Sequence, residues 1–225
     1  MPVRMRQRRP DGEAAELQRV EAIYDRLAPG WDAREGRGER ALMGGPLRGQ
    51  LAGLLSGDVL EVGIGTGALL RSLAPAPGPI RSYTGIDLST GMLAEAAKVA
   101  EACPFPVTLR QMNAEALTAF PGHSFDTVTS SLVLCTVPDP ATALREMTRV
   151  CRPDGRIVLL EHVLAPNPLI GVVQKVVAPL QVRHMGCHLD RRTNRLVRQL
   201  GFTVERDDTR LFGIFHLMVL RPPTQ

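Results

Sequence analysis

The stretch Asp58–Leu70 constrains the fold more than any other part of this 225-residue chain. Near its start, Val59, Leu60 and Val62 form a short apolar run of the kind that makes a buried strand, and a helical apolar pattern starts at Ala68. Between them stand three glycines at alternate positions: Gly63, Gly65 and Gly67. A strand that passes through close glycines into a helix brings bare backbone N–H groups up to a ligand, because no Cβ atom intervenes. The pattern therefore predicts a ligand-binding βα unit, and the alternative is a plain tight turn.

The residue before the glycines helps to choose between ligands. The spacing of Gly63, Gly65 and Ala68 also fits the dinucleotide-binding fingerprint, so spacing alone does not decide. Glu61 lies two residues before the first glycine, at the predicted strand end. A carboxylate there would repel a pyrophosphate and attract an ammonium group. Glu61 therefore favours a cationic ligand.

The run Glu61 to Gly67, EVGIGTG, resembles motif I of the class I methyltransferases that use S-adenosylmethionine (SAM). The resemblance implies SAM as the cofactor, bound by Glu61 and the three glycines. It also implies an α/β, Rossmann-like fold, with a mostly parallel seven-stranded sheet, an antiparallel edge hairpin and helices on both faces. We expect one methyltransferase domain over 12–225, since neither an internal repeat nor a second domain is evident.

Alternating strand and helix patterns along the chain support a parallel sheet. After the glycine unit, we predict strands at Ser82–Asp87, Val107–Met112, Ser124–Cys135 and Arg156–Val163, the last after a turn over 151–155. The predicted helices are Gly12–Leu27, Leu47–Leu55, Ala68–Leu73, a helix after Ser89, Ala141–Val150 and Arg191–Leu200. Phe202–Arg206 and Leu211–Leu220 alternate as paired strands do and form the predicted edge hairpin.

Composition and charge narrow the function classes. The net charge is +4, and four arginines of a basic N-terminal arm over 1–11 supply much of it: Arg4, Arg6, Arg8 and Arg9. We interpret the arm as a solvated tail, and a weak contact with an anionic membrane surface is the alternative. Aromatic residues do not interleave with these arginines, so we do not expect nucleic-acid binding. The pattern leaves the oligomeric state open.

Targeting and cysteine patterns point to the cytoplasm. No apolar run reaches the length of a membrane span, and no apolar segment follows the basic start as in a signal peptide. The four cysteines form no C-x-x-C pair. We therefore expect reduced thiols in a cytoplasmic protein.

Two further segments bear on the cofactor. Asp87 ends the second strand about twenty residues after the glycines, the spacing of a carboxylate that binds ribose hydroxyls, although a capping role is the alternative. Asn113-Ala114-Glu115 resembles the D-A-E-x-L segment beside the adenine ring, with Asn113 in place of aspartate. Its amide oxygen can still accept a hydrogen bond from adenine. The resemblance also implies cofactor contacts at Leu88, Met92 and Ser130.

The segment Tyr24–Asp32 resembles the YD-x-x-A-x-x-YD segment that precedes many small-molecule methyltransferases, including the ubiquinone/menaquinone methylase group. In that family it lies over the cofactor. The resemblance implies a lid over 12–32, with Tyr24 against the cofactor and Trp31 against the acceptor. The alternative is an ordinary helix that packs on the sheet.

The segment 164–189 is apolar and interrupted by Pro166, Pro168 and Pro179. It lies where this family inserts structure over the substrate. It could be a substrate cover, an interfacial amphipathic element or a helix that closes the core, and the first two imply an apolar acceptor. The pattern of His184, Cys187 and His188 raises a metal site, but we predict none, since no further ligand is evident.

Three short runs point to a branch of the family: SSLVLCTVPDP, RVCRPDGRIVLLEHV and GCHLDRRT. Together they resemble the alkyl-thiol methyltransferases and, more distantly, bacterial phospholipid N-methyltransferases. This implies a small acceptor, with sulfur as the expected methylated atom. Other acceptors remain open: N-, O- or C-methylation of a lipid amine, a quinone-like molecule or a natural product. Two other classes also remain, an NAD-dependent oxidoreductase and a non-catalytic SAM-binding partner.

His162 ends strand five and is the predicted base or acceptor-orienting group. The alternative is a histidine bonded to backbone at a strand end. The remaining predicted acceptor contacts come from three parts of the chain: Trp31, Leu134, Cys135, His184, Cys187 and His188. Cys135 is expected to form pocket wall, because methyl transfer needs no covalent enzyme intermediate.

Overall fold

The computed structural model describes residues 10–33, 45–73 and 78–223, and its centre is one seven-stranded sheet. The strands lie in the order β3-β2-β1-β4-β5-β7-β6. Their bounds are β1 Gly57–Val62, β2 Ile80–Asp87, β3 Val107–Gln111, β4 Phe125–Ser131, β5 Cys151–His162, β6 Thr203–Arg210 and β7 Phe215–Arg221. The first five strands are parallel, and β7 pairs antiparallel with both β5 and β6.

Helices connect the strands. They are α1 Pro10–Leu27, α2 Gly45–Ala52, α3 Ala68–Leu73, α4 Thr90–Ala100, α5 Pro140–Val150, α6 Pro168–Met185 and α7 Thr193–Gln199. The helix starts follow local chemistry, since Ser89, Asp139 and Asn167 each accept a backbone N–H bond as N-caps. The arginines of the predicted basic arm lie outside the described residues, and the described chain begins in α1.

Two apolar cores cover the two faces of the sheet. Leu60 and Val128 belong to one core, which α5 joins through Leu144 and Met147. Val59 and neighbouring strand residues belong to the other core, with side chains of α2, α3 and α4. Alternate residues of a strand point to opposite faces, so β1 contributes to both cores. The predicted α/β fold, with helices on both faces and an antiparallel edge, is confirmed.

The order of the strands fixes where a ligand can bind. From β1 the chain moves outward to β2 and β3 and then returns to β4 on the other side of β1. In such sheets a crevice opens beyond the carboxyl ends of the strands at this reversal. The loop after β1, the end of β2 and the end of β4 therefore meet at one edge.

The other end of β1 is held by charges. Asp58 and Asp126 both accept from the guanidinium of Arg81, at 2.6 and 2.5 Å, and Arg152 also bonds to Asp126. Asp126 Oδ2 further accepts from the backbone N–H of Asp58 at 2.7 Å. A Cβ at Gly57 would lie 2.3 Å from that same oxygen, so the glycine is needed for this contact.

Several element bounds differ from the sequence prediction, and β4, for example, ends at Ser131 rather than at Cys135. β5 starts at Cys151 rather than Arg156, because Cys151 pairs with Phe125 before a bulge that the predicted turn occupies. The edge hairpin turns over 211–214, so β6 is longer and β7 shorter than predicted. Pro179 lies inside α6 and does not break it.

None of the helices within the described ranges combines the length and apolar character of a membrane span.

Candidate cofactor and acceptor site

A cavity of about 510 Å³ occupies the crevice at the carboxyl ends of the strands. Thirteen of the sequence-predicted site residues line it: Tyr24, Trp31, Glu61, Gly63, Gly65, Asp87, Leu88, Met92, Asn113, Ala114, Cys135, His162 and Cys187. We call the part beside the glycine loop the cofactor end. The acceptor end is lined by Cys135, His162, Gln174, Gln181, Met185, Cys187, Leu211, Ile214 and Phe215.

The three glycines of the loop serve different purposes. Gly63 has a φ of +69°, and a Cβ there would lie 2.4 Å from a methyl group of Val133, so a side chain does not fit. Gly65 has a φ of +56° and leaves open space where its Cβ would be. Gly67 lies outside the cavity, and its Cβ position is 3.4 Å from the Cα of Ala96. Gly67 thus permits close helix packing rather than ligand contact.

Asp87 joins the two loops of the cofactor end. One carboxylate oxygen accepts from Gly65 N at 2.8 Å, and the other accepts from Ser89 N at 2.9 Å. Burial raises the pKa of Asp87. The N-cap of α4 is Ser89, whose Oγ accepts from Met92 N at 3.0 Å. Asp87 therefore fixes the glycine loop against α4 while it lines the cavity.

Glu61 is buried in the cavity wall. Its Oε2 accepts from the Tyr83 hydroxyl at 2.6 Å, and burial raises the pKa of Glu61 to about 8. A positive ligand would stabilise the charged form of such a carboxyl group. Tyr83 lies on β2, so sequence alone gave no signal for this contact. The residues of the cofactor end therefore fit SAM: an open glycine backbone and a buried acid suited to a cationic group.

Two aromatic side chains of the N-terminal segment face the same cavity. The rings of Tyr24 and Trp31 lie 5.7 Å apart between centroids, and both line the cavity. Both aromatic side chains of this segment therefore form part of the cavity wall.

Two aspartates that sequence reasoning left aside hold this segment in place. Asp25 Oδ1 accepts from Ser89 Oγ at 2.6 Å and from Gly91 N at 2.9 Å. Asp32 accepts from Oγ1 of Thr66, in the glycine loop, at 2.7 Å. The signal was present in the sequence, because each aromatic residue of the segment is followed directly by an aspartate.

Besides Gly67, two predicted cofactor residues lie outside the cavity. Glu115 lies outside the cavity and accepts from Asp139 N at 2.7 Å, so it positions the start of α5. Ser130 also lies outside, because its Oγ donates to Glu161 at 3.2 Å on the inner face of β4. Its neighbour Ser131 lines the cavity, as strand alternation requires.

Asn113 lines the cavity, and its side chain also has a local role. Its Oδ1 accepts from the backbone N–H of Glu115 at 3.0 Å and so forms a turn. An amide oxygen has a second lone pair, so a bond to an adenine amino group remains available.

A cluster of sulfur and imidazole side chains lies in the acceptor end. His162 Nε2 is 3.2 Å from Cys187 Sγ, and the ligand atoms of Cys135, His162 and Cys187 all lie within 4.8 Å of one another. A hydrogen bond from Cys135, together with His162, lowers the pKa of Cys187 to about 5. Burial opposes the charged imidazolium, yet Cys187 raises the pKa of His162. The hydrogen bond with Cys187, together with burial, raises the pKa of Cys135, so these shifts favour the thiolate form at Cys187 and the thiol form at Cys135.

Three predicted acceptor residues are placed differently. Leu134 is fully buried in the core, and His184 is exposed on α6. His188 is half-buried, and its backbone N–H donates to Cys135 O at 2.9 Å. None of the three lines the cavity. The ligand group that sequence weighed therefore does not assemble around His184 and His188, since Cys187 turns toward Cys135 and His162.

The segment 164–189 forms the wall of the acceptor end through α6 and the residues after it. Gln174 Nε2 donates to Val163 O at 3.1 Å and to Leu189 O at 3.3 Å, which ties α6 to the end of β5. In α6 only Gly171 and Ala178 are buried, so this helix does not close the core.

The outer face of α6 is apolar and exposed. Leu169 is 78% exposed and Val176 is 73% exposed. More than half of the surface of Val172, Val173 and Leu180 is also exposed. Phe212, in the turn before β7, is 76% exposed. This turn lies against the start of α6, because a Cβ at Gly213 would be 3.1 Å from Pro166. We call these six exposed residues the apolar surface.

Comparison with known proteins agrees with this geometry. Residues 60–159 match the family model described as a methyltransferase domain. The chain is 40% identical over 136 residues to phosphatidylethanolamine N-methyltransferase of Cereibacter sphaeroides. This match covers 60% of the chain and 64% of the relative. It is 35% identical over 116 residues to the ubiquinone/menaquinone C-methyltransferase UbiE of Hahella chejuensis, covering 51% and 46%. The matches thus span about half to two thirds of these relatives.

Solved structures share the fold over nearly the whole chain. The structure titled as the DhpI complex with S-adenosylhomocysteine has a TM-score of 0.70 and 20% identity, and the match covers 94% of this chain and 99% of that one. The chain therefore has the class I methyltransferase fold, and its residues 60–159 match the methyltransferase domain family. The resemblance seen in the sequence is confirmed, and so is SAM as the cofactor that this domain implies.

Proposed function

We propose that the protein transfers a methyl group from SAM to a small, largely apolar acceptor, and that the acceptor atom is sulfur. The observation that carries the sulfur assignment is the composition of the acceptor end. Its described residues offer imidazole, thiol, amide and thioether groups, and none of them is Asp, Glu or Lys. A poorly acidic hydroxyl would need a stronger base than these groups supply, whereas a thiol would not.

The proposed chemistry needs little more than alignment. SAM supplies a methyl group on a positively charged sulfur, which a nucleophile displaces in line. A thiol has an ordinary pKa of about 8.5, so an appreciable fraction of it ionises near neutral pH with modest help. The apolar walls exclude water, and His162 orients the acceptor or takes its proton. The runs that resemble alkyl-thiol methyltransferases support the same acceptor.

Each cavity-lining residue of the cofactor end has a separate role in the proposed binding of SAM. In this proposal Gly63 and Gly65 bring backbone to the cofactor, and Glu61 faces its ammonium group. Asp87 binds the ribose hydroxyls. Their common place on one cavity wall supports these roles.

Other cavity-lining residues are proposed to contact the nucleoside part of the cofactor or to close the cavity over it. Asn113 and Ala114 lie beside the adenine ring, and Leu88 and Met92 pack against the nucleoside. Tyr24 closes the cofactor end, and Trp31 lies toward the acceptor. All six side chains or backbones line the cavity, which supports the assignment.

We further propose that residues 12–32 act as a lid and 164–189 as the cover of the acceptor. The lid is fastened to both cofactor loops through Asp25 and Asp32. The cover contributes Gln174, Gln181 and Met185 to the cavity wall. Both segments would then have to move for substrates to enter.

The apolar surface of α6 leads us to propose a weak contact with an anionic membrane. The helix contains Lys175 and Arg183 and no acidic residue, so its charge complements anionic lipid. The surface adjoins the acceptor end, because the turn that carries Phe212 also supplies Leu211 and Ile214 to the cavity wall. An apolar acceptor dissolved in lipid would therefore meet the cavity directly. The four free cysteines support the proposed cytoplasmic location.

A lipid amine is the second candidate acceptor. The apolar surface beside the cavity favours an amphiphilic substrate, and the Cereibacter relative is named as a phosphatidylethanolamine N-methyltransferase. In this case the methylated atom would be the headgroup nitrogen.

One experiment separates these acceptors. The protein is incubated with SAM and a panel of alkyl thiols, phenols, amines and phosphatidylethanolamine vesicles, and products are identified by mass. We expect methyl thioethers and S-adenosylhomocysteine in equal amounts. Gly63→Ala is the negative control. Its added methyl group would clash with Val133 beside the cofactor end, so we expect no methylated product from this variant. If the lipid amine is methylated and no methyl thioether forms, the thiol acceptor is rejected in favour of the lipid amine. NAD-dependent oxidation without methyl transfer would reject both acceptors.

Sedimentation with vesicles tests the membrane contact. We expect binding to vesicles that contain phosphatidylserine, and much weaker binding for Val176→Glu at the centre of the apolar surface. Gln199→Glu on α7 adds the same charge at another exposed site and should bind normally. Equal binding of the two variants would contradict the contact.

A further inference from the structure

We infer that Cys135, His162 and Cys187 form a binding site for a thiophilic divalent cation, with Zn²⁺ as the representative ion. The three residues offer two sulfurs and one imidazole nitrogen, and these atoms lie within 4.8 Å of one another. Thiolate and imidazole are the ligands that zinc prefers in proteins.

The spacing of the three atoms is close to what a zinc ion needs. Zinc lies about 2.3 Å from sulfur and about 2.0 Å from nitrogen in a tetrahedral site, so neighbouring ligand atoms are roughly 3.5–3.8 Å apart. The observed Nε2 to Sγ distance of His162 and Cys187 is 3.2 Å. Small adjustments of three side chains would therefore complete the geometry without a change of backbone.

The backbone brings these ligands together from three separate elements. Cys135 follows β4, His162 ends β5, and Cys187 follows the left-handed C-cap of α6 at Gly186. The loops are joined, since His188 N donates to Cys135 O at 2.9 Å. Arg191 also donates to the carbonyl of Leu134 and, at 2.6 Å, to that of Val137. The ligand positions are therefore fixed by the fold before a cation arrives.

The charges around the cluster are compatible with a divalent ion. Glu161 is buried and accepts from Val133 N and Leu134 N at 3.2 and 3.1 Å. The positive charge of the Arg191 guanidinium offsets the negative charge of the Glu161 carboxylate. Cys135 would lose its proton to solvent on cation binding, so two thiolates would balance one divalent cation and no unpaired charge would be left in the cavity wall.

All three ligands line the cavity, which leaves the fourth position of a tetrahedral ion facing the acceptor end. Three protein ligands with one open position is the arrangement of catalytic rather than structural zinc. This part of the inference rests on the proposed function. An acceptor thiol would coordinate there and release its proton to solvent. Its sulfur would then form a bond to the methyl carbon as the bond to the sulfonium sulfur breaks, giving a thioether and S-adenosylhomocysteine.

Binding of the metal alone is the first test. The full chain, kept reduced and stripped with chelator, is titrated with Co²⁺, whose bonds to thiolates give strong near-ultraviolet absorption. Competition by Zn²⁺ then gives the zinc affinity. We expect one equivalent of metal. Cys135→Ser and Cys187→Ser should each lower the affinity by at least about tenfold. Cys103→Ser and Cys151→Ser are matched controls, because these two thiols lie outside the cluster.

The thermal unfolding temperature gives a readout independent of activity. A cation that binds only the folded protein raises this temperature, and both cluster variants should lose that rise. Absence of thiolate absorption, or the same metal affinity in all four serine variants, would overturn the site. The three side chains would then be a reduced thiol and imidazole network with no metal.

Activity measurements separate this inference from the proposed function. If thiols are methylated equally in chelator-stripped and metal-loaded protein, the open-position role is rejected and the proposed function stands. If metal binds as expected but amines alone are methylated, the site stands and the thiol acceptor is rejected. Loss of thiol methylation on stripping, with recovery on Zn²⁺ addition, supports both.

Discussion

Asp32 accepts a hydrogen bond from Thr66 at 2.7 Å, which joins the end of the N-terminal segment to the glycine loop. Asp32 also pairs with Arg71 at 2.7 Å, although both side chains are about half exposed. Asp25 makes the corresponding contact with the second cofactor loop at Ser89. The N-terminal segment, which we propose to be a lid, is thus anchored by two carboxylates, and its aromatic side chains line the cavity.

Removal of the Asp32 carboxylate should loosen the lid. We expect Asp32→Ala to weaken SAM binding by about fivefold, the effect of losing a hydrogen bond worth about 1 kcal/mol. Amide hydrogen exchange over 12–32 should become faster in the same variant. Gln18→Ala, on the exposed side of α1, is the control and should change neither measurement. Unchanged exchange and affinity in Asp32→Ala would show that the contact does not hold the lid.

Asp87 should be more sensitive than Asp32, because it joins the glycine loop to α4 and faces the proposed ribose. We expect Asp87→Ala to weaken SAM binding by about 1–3 kcal/mol in calorimetry. Asp87→Asn keeps one acceptor oxygen and should lose less. A normal affinity in both variants would contradict the ribose assignment.

Glu61 should make SAM binding depend on pH. Its pKa is raised to about 8, so the carboxyl is mostly protonated in the free protein at pH 6.5. A bound ammonium group favours the ionised form, so binding should release a proton and tighten as pH rises from 6 toward 7.5. Calorimetry at pH 6.5 in buffers of different ionisation enthalpy measures this release. Glu61→Gln cannot release that proton, and an identical buffer dependence in the two proteins would refute the role.

The charge network at the start of β1 should make the fold sensitive to acid. Hydrogen bonds and charges from Arg81 and Arg152 lower the pKa values of Asp58 and Asp126, against the opposing effect of burial at Asp126. Groups with lowered pKa values stabilise the fold above their unfolded pKa, near 3.8, and that contribution is lost as pH falls through the folded values.

Acid titration of unfolding checks this prediction. We expect Asp126→Asn to lower the unfolding temperature at pH 7 and to reduce the loss of stability between pH 5 and pH 3. Asp154→Asn, a neighbouring carboxylate in the bulge of β5, serves as the control. The same acid profile in the wild-type protein and Asp126→Asn would show that the network contributes little.

Local sequence determined much of the fold. The apolar run before the glycines, the spacing of Asp87 and the alternation of strand and helix patterns depend on residues close together in the chain. Their preferences act over a few residues, so the βα unit, the acid at the end of β2 and the helix that starts after Ser89 could be predicted. The same local patterns failed at Pro179, because the proline lies in a helix that tertiary contacts through Gln174 hold in place.

The tertiary structure alone decided which side chains meet. Ser130 and Ser131 are adjacent in sequence, yet only Ser131 lines the cavity, because the register of β4 between β1 and β5 sets the face of each. Cys187 follows His162 by 25 positions and Cys135 by more, and its neighbours depend on the path of α6 between them. Sequence spacing instead suggested His184 and His188 as the neighbours of Cys187 in a ligand group. Contacts between distant residues arise from the packing of whole elements, which no short pattern encodes.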